Sequence, residues 1–289
     1  MKKTLRISFT GLLGCLYLSL VPAANADTVL YDPNMGTLPD QQGWLSVLDT
    51  SSTQSLTGGL VNLNTTADRD DQSGYFSEDP FNGTVTHPNM PVLNRAAGYT
   101  VSFQVQVLSE GHNNRDDNND GMFDRAGFSV IAISQDLAGL EIGFFENRVW
   151  AYAAAGEGTS SLFTQAEGVA FDTTASLVDY DLAVQGDNYR LFANSQSILS
   201  GSLRNYNPSG LPPLIDPYNN PSFIFLGDDT TSADSNVLLG RVEILNSAVP
   251  EPSSMFVVGC CGMLLSSRRR RPRMSRIQIG LRFGEFGSQ

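Results

Sequence analysis

The oxygen-bearing stretch Asp116-Asp117-Asn118-Asn119-Asp120-Gly121-Met122-Phe123-Asp124 follows the order D-x-N-x-D-G-x-x-D. Side-chain oxygens at Asp116, Asn118 and Asp120 stand two residues apart, so a turning chain can aim all three at one hard cation. Gly121 permits the sharp turn, the Met122 carbonyl supplies a further oxygen, and Asp124 takes the ninth position. Calcium is the expected cofactor. The bidentate Glu that closes a helix-flanked loop of this kind at position 12 is missing, because that position is Gly127. The flanking residues read as strands, which places the loop at the rim of a β-sheet, with Asp136 as a remote acid available to complete the shell. An acidic solvated turn is the plainer alternative.

Other chemistry is sparse. Asp68-Arg69-Asp70-Asp71 and Asp228-Asp229 are further acidic clusters that could hold ions, with solvated loop acids the plainer reading at this net charge. Jelly-roll glucanases carry acid and nucleophile as E-x-D-x-E or E-x-D-x-x-E on one strand, but Glu141-Ile142-Gly143-Phe144-Phe145-Glu146 lacks the middle Asp. Its two Glu are an odd number of residues apart and so face opposite sides of a strand. No G-x-S-x-G is present, and the only His, His87 and His112, read as loop residues. The expectation is no catalytic residue and no enzyme. Trp44, Trp150, Tyr152, Tyr206 and Tyr218 are the aromatics available to stack a sugar, or to fill a core.

The two ends differ from the middle. Lys2, Lys3 and Arg6 precede an apolar run from Ile7 to Val21, and Ala24-Asn25-Ala26 offers the small residues that signal peptidase cuts after. Leu12-Leu13-Gly14-Cys15 partly fits a lipid-attachment box, yet the apolar stretch runs on past Cys15, which suits cleavage after Ala26. At the other end Pro250-Glu251-Pro252 precedes an apolar segment, 255–267, and then Arg268, Arg269, Arg270 and Arg271. Two prolines keep such a motif extended, and an Arg cluster stays cytoplasmic and stops export. The apolar run is shorter than the roughly 20 residues a span prefers. Cys15, Cys260 and Cys261 all lie in these ends, so a processed chain would carry no Cys.

Residues 27–249 hold eight Arg, no Lys and 28 acids, hence a formal charge of −20. That surface repels nucleic acid and favours cations. Its pattern is one of short strands. In Val101–Val107 apolar and polar residues alternate, one face for a core and one for water. Further strands are expected at 59–65, 126–134, 139–145, 148–154, 178–185, 188–194, 222–227 and 236–245, the last with Leu238, Val242 and Ile244 on one face. Segments 66–97 and 203–221 read as loops. The expected architecture is an all-β, antiparallel β-sandwich or jelly roll, flanked by an N-terminal signal peptide and a C-terminal hydrophobic helix. The domains are a signal peptide 1–26, a sandwich 27–248, a sorting signal 249–273 and a tail 274–289.

The C-terminal order of Pro-Glu-Pro, apolar helix and Arg cluster resembles the PEP-CTERM sorting signal of Gram-negative bacteria. That resemblance implies processing by an exosortase and a transient membrane anchor through the helix. Leu38–Trp44, Asp187–Asn194 and Ile215–Thr231 resemble choice-of-anchor domains, type Y, of the concanavalin A/laminin-G-like kind. Together these imply a non-enzymatic protein exported to the cell surface or extracellular matrix, with signal peptidase and exosortase as processing partners and extracellular polysaccharide as a further one. A calcium-dependent carbohydrate-binding, lectin-like module is the alternative, and a glycan-active enzyme the third reading.

Overall fold

The computed structural model describes residues 27–79, 87–154, 163–206 and 216–248. The expected signal peptide with Ala24 and Ala26, the Pro250-Glu251-Pro252 motif, segment 255–267, Arg268 to Arg271 and the tail all lie outside them. Among the described residues no helix is long and apolar enough to cross a membrane.

The described chain forms fifteen strands: β1 (Thr28–Tyr31), β2 (Leu45–Val47), β3 (Thr53–Thr57), β4 (Leu60–Asn64), β5 (Ser73–Phe76), β6 (Tyr99–His112), β7 (Ser129–Ile133), β8 (Gly139–Phe145), β9 (Arg148–Tyr152), β10 (Gln165–Ala170), β11 (Val178–Gln185), β12 (Asn188–Ala193), β13 (Gln196–Ser202), β14 (Phe223–Asp228) and β15 (Ala233–Leu245). Three single-turn 3₁₀ helices, Pro33–Met35, Pro39–Gln42 and Pro217–Asn219, each begin on a proline, whose fixed φ suits that position. An eight-stranded sheet runs β13-β12-β11-β6-β15-β4-β3, with β1 also paired to β15. A seven-stranded sheet runs β10-β9-β8-β7-β14-β5-β2. All pairings between these strands are antiparallel.

The sheets pack face to face as a β-sandwich. The alternation in β6 survives intact: Val101, Phe103, Val105 and Val107 are buried while Ser102, Gln104 and Gln106 are half-buried. Phe103 meets Phe144 of the opposite sheet edge to face at 6.2 Å, and Tyr180 stacks on Phe103 at 5.4 Å. In β15 the alternation slips. Register shifts between Asn236 and Val237 and between Leu239 and Val242 put Val237, Leu239, Val242 and Ile244 in the core. Leu238, expected on the core side, is only half-buried for that reason.

Within the seven-stranded sheet, strands β7, β8, β9 and β14 are buried on both faces. Val130, Ala132, Leu140, Ile142, Phe144, Val149, Ala151, Ile224 and Leu226 face the sandwich core. Ile131, Ile133, Phe145, Trp150, Tyr152, Phe223 and Phe225 face outward into a second cluster. Loop residues Phe123, Phe163, Tyr206 and Tyr218 cover that outer face. The close fit has steric consequences: a Cβ on Gly143 would lie 2.7 Å from the Trp150 ring, and one on Gly74 2.4 Å from that of Phe225.

Both lateral openings of the sandwich are bridged. On one side Glu167 of β10 receives hydrogen bonds from Tyr189 of β12 (2.7 Å) and from Arg204. On the other, Gln54 of β3 accepts from Tyr75 of β5 at 2.8 Å and from Ser46 of β2 at 3.4 Å. Phe144→Ala, which empties the aromatic contact between the sheets, is expected to lower the unfolding free energy by about 3–5 kcal/mol in urea denaturation.

Candidate functional site

The loop from Asn113 to Gly127 joins β6 to β7. Gly121 adopts φ of 86° and Asn119 57°, so the sharp turn falls where the sequence places it. Asp116 accepts from the backbone N–H groups of Asp120 (3.1 Å) and Gly121 (2.9 Å). Asn118 and Asp120 bond through their side chains at 3.0 Å, and Asp120 also accepts from Met122 N–H at 2.8 Å. The structure thus brings Asp116, Asn118 and Asp120 together, with Met122 beside them and exposed. It keeps Asp124 apart. That carboxylate is fully buried and accepts from the N–H groups of Asp117 (2.6 Å) and Gln165 (3.1 Å). Burial pushes Asp124 up, while these bonds and Arg125 oppose the shift. Asp136 is engaged by Arg95 at 2.8 Å. No group of three or more His, Cys, Asp or Glu able to hold a metal occurs among the described residues.

The structure corrects the reading of His112 and of two of the acids. His87 lies in a loop, as expected, and is buried there: it is 1% exposed, packs edge-on against Trp44 at 5.6 Å, and its Nε2 bonds the Leu30 carbonyl at 2.9 Å. His112 ends β6 and stacks on Phe145 at 4.3 Å. Asp71 and Asp228 are likewise buried and not solvated. Asp71 accepts from Ser51 N–H and Ser52 Oγ, and Asp228 from Thr65 Oγ1 at 2.7 Å and Thr230 N–H.

The strongest candidate site is a cavity of about 410 Å³ on the outer face of the seven-stranded sheet. Phe76, Tyr152, Phe163, Tyr218 and Phe225 supply rings around it, and Glu141, Asp228, Asp229 and Arg125 supply charge. Strand parity explains the floor. Glu141 lies on β8 between Leu140 and Ile142, which face the core, so its carboxyl must point outward under the loop cover. Trp44, Trp150 and Tyr206, like Tyr152 and Tyr218, are buried; of these five expected aromatics the cavity takes Tyr152 and Tyr218.

Glu141 is 2% exposed, and Tyr218 donates a short hydrogen bond to its Oε2. The Glu141 and Asp229 carboxyls lie within hydrogen-bonding reach of one another. Two carboxylates offer only acceptors, so that contact requires a proton between them. Ser129 Oγ donates to Asp229 at 3.2 Å. Desolvation pushes both acids up, Glu141 well above the ordinary carboxylate range, with the neighbouring Asp229 charge adding to it. Burial raises Asp228 to about 9. Arg125 ties the cavity to the acidic loop: its guanidinium bonds the Phe163 carbonyl, lies over the Phe163 ring at 5.5 Å and reaches Asp117 at 3.3 Å. Tyr152 reinforces the tie by accepting from Ala126 N–H at 3.0 Å.

Glu141 was visible in the sequence only as part of a failed glucanase pattern, and Asp229 only as a loop acid. The one available signal was the unbroken apolar character of 130–133 and 223–226, which marks strands covered on both faces. The buried acids make a pH prediction. Asp228 has a folded value near 9 against an ordinary 3.8, so the folded state holds its proton more tightly. Its contribution to stability is full below about pH 4 and is lost as the pH rises towards 9. Asp228→Asn should flatten that decline in thermal melts recorded from pH 4 to 9.

No family model matches the chain, and no curated protein does. Solved structures do show likeness at low identity. A carbohydrate esterase, vb_24B_21, from Shiga toxin-encoding bacteriophage phi24B is 15% identical over 77% of this chain and 100% of that one, with a TM-score of 0.48. A botulinum neurotoxin type C structure described in terms of interaction with two ganglioside molecules is 11% identical over 84% of this chain, with a TM-score of 0.44. The binding domain of botulinum neurotoxin DC in complex with rat synaptotagmin II is 12% identical over 83%, also at 0.44. This chain spans about half the length of both neurotoxin chains, 51% in each case.

Proposed function

We propose that the chain is a non-enzymatic, exported protein of the cell surface or extracellular matrix whose sandwich binds carbohydrate in the cavity over its seven-stranded sheet. The cavity carries this reading. Its rings offer apolar faces to the C–H side of a sugar ring, while Glu141, Asp229 and Arg125 offer acceptors and donors to hydroxyls. A volume of about 410 Å³ lies within the range of small-molecule sites. The contact between the two carboxyls favours binding over glycoside hydrolysis, because glycosidases hold theirs about 5–9.5 Å apart around the sugar.

Calcium on the Asp116, Asn118 and Asp120 oxygens and the Met122 carbonyl belongs to the same proposal. It would stiffen the loop that Arg125 and Asp117 link to the cavity wall. Glycan-array binding of the purified domain tests both parts. The expected result is retention of the wild type in calcium, weaker retention in chelator or in Asp116→Ala/Asp120→Ala, and roughly a tenfold loss in Phe163→Ala. No retention on any glycan rejects the binding role, and indifference to chelator rejects calcium.

The export half of the proposal is supported by the sequence: Ala24 and Ala26 for signal peptidase, Pro250-Glu251-Pro252 for an exosortase, and Arg268 to Arg271 as the stop. The choice-of-anchor resemblance supports the same destination. Intact mass of the protein recovered from its native cell surface should correspond to a chain of about residues 27 to 250. A mass that still includes 255–289 overturns the sorting step.

A further inference from the structure

The cavity floor contains an arrangement that neutral sugars do not need. Glu141 is almost wholly buried on β8, yet only one of its oxygens, Oε2, receives a donor, from Tyr218. Its neighbour there is another acceptor, the Asp229 carboxyl, which is held by Ser129 and by no Lys or Arg hydrogen bond. Asp228 is a further acid among the lining residues, its carboxyl bonded by Thr65 and Thr230. Arg125, the only basic residue among the described lining, is already committed to Asp117, the Asp124 and Phe163 carbonyls and the Phe163 ring. Two desolvated carboxyls in contact at the floor of a cavity ask for a donor with positive charge. The surrounding rings supply the aromatic faces that an ammonium group and the sugar carrying it both favour.

We infer that this cavity selects sugars bearing a free amino group, the ammonium seating between the Glu141 and Asp229 carboxyls while the pyranose ring lies against Phe163 and Tyr218. The inference rests on the carbohydrate reading of the same site and names its ligand class. An N-acetylated sugar has lost the charge and adds bulk at the same atom, and a uronic acid brings a second negative charge to the carboxyls. Both are excluded on the same ground. When the ammonium enters, it replaces the proton that the two carboxyls share, and that proton leaves to buffer. No bond is made or broken in the sugar. The raised affinity of Glu141 for protons is consistent with such an exchange.

The test is calorimetric titration at pH 6.5 with glucosamine disaccharide, its N-acetylated counterpart, cellobiose and a glucuronic acid disaccharide. Wild-type protein should bind the amino sugar about tenfold or more tightly than the other three. Repeating the titration in two buffers of different ionisation enthalpy should show proton release on binding the amino sugar. Glu141→Gln and Asp229→Asn, each first shown to melt cooperatively, should lose the tenfold preference for the amino sugar over cellobiose. Equal binding of cellobiose and glucosamine disaccharide overturns the inference and leaves the carbohydrate reading intact. Tightest binding of the uronic acid also overturns it, in favour of recognition by Arg125. Binding of a simple monoamine as tightly as the amino sugar rejects the sugar and with it both readings, as does failure of every saccharide to bind.

Discussion

Water is shut out of the middle of the seven-stranded sheet on both sides, and most of the molecule's distinctive chemistry follows from that exclusion. A sheet with one wet face would have let Glu141 ionise in solvent. Here β7, β8, β9 and β14 carry large apolar side chains outward as well as inward, and loop aromatics roof them over. The carboxyls that share the roofed space are therefore desolvated, and each must find a donor, a proton or a ligand. The loops are held down by the same polar groups: Tyr206 Oη donates to the Tyr152 carbonyl at 2.8 Å, and Arg125 clamps the Phe163 carbonyl. Cover and charge thus depend on each other.

The eight-stranded sheet obeys the simpler rule, one dry face and one wet, and it was correspondingly easy to read. The alternation from Val101 to Val107 is a direct record of its place in β6. The strands that escaped the sequence are the short and polar ones. Thr53–Thr57 is mostly exposed at a sheet edge, Gln196–Ser202 has few buried residues, and Ser73–Phe76 sits inside a stretch whose turn residues dominate its composition. Leu238 failed for a different reason, because a bulge costs one residue of register and turns the face over.

The site was less legible than the fold. A loop motif is local, so the turn at Asn119 and Gly121 could be placed from spacing alone. The cavity is not local: Tyr218 reaches Glu141 across 77 residues of sequence, through a strand order in which β14 is inserted between β7 and β5. No spacing rule encodes that meeting. Asp124 shows the converse. Its position in the motif is that of a ligand, yet tertiary structure uses it as a buried acceptor that fastens the loop to the start of β10.

The bridges at the two lateral openings affect how the protein behaves in a crowd. An unprotected sheet edge offers free N–H and C=O groups to any neighbour, the more so where chains meet at high local concentration. At one side Arg204 and Tyr189 draw the β10 margin toward the opposite sheet through Glu167, whose acidity stays above that of a normal Glu: burial pushes the carboxyl up, but those hydrogen bonds outweigh it and leave it below its ordinary value. At the other side Gln54 ties β3 to β2 and β5. Each sheet margin is thereby engaged with its own molecule. A strand from another molecule approaching either opening would first meet side chains already bonded across it.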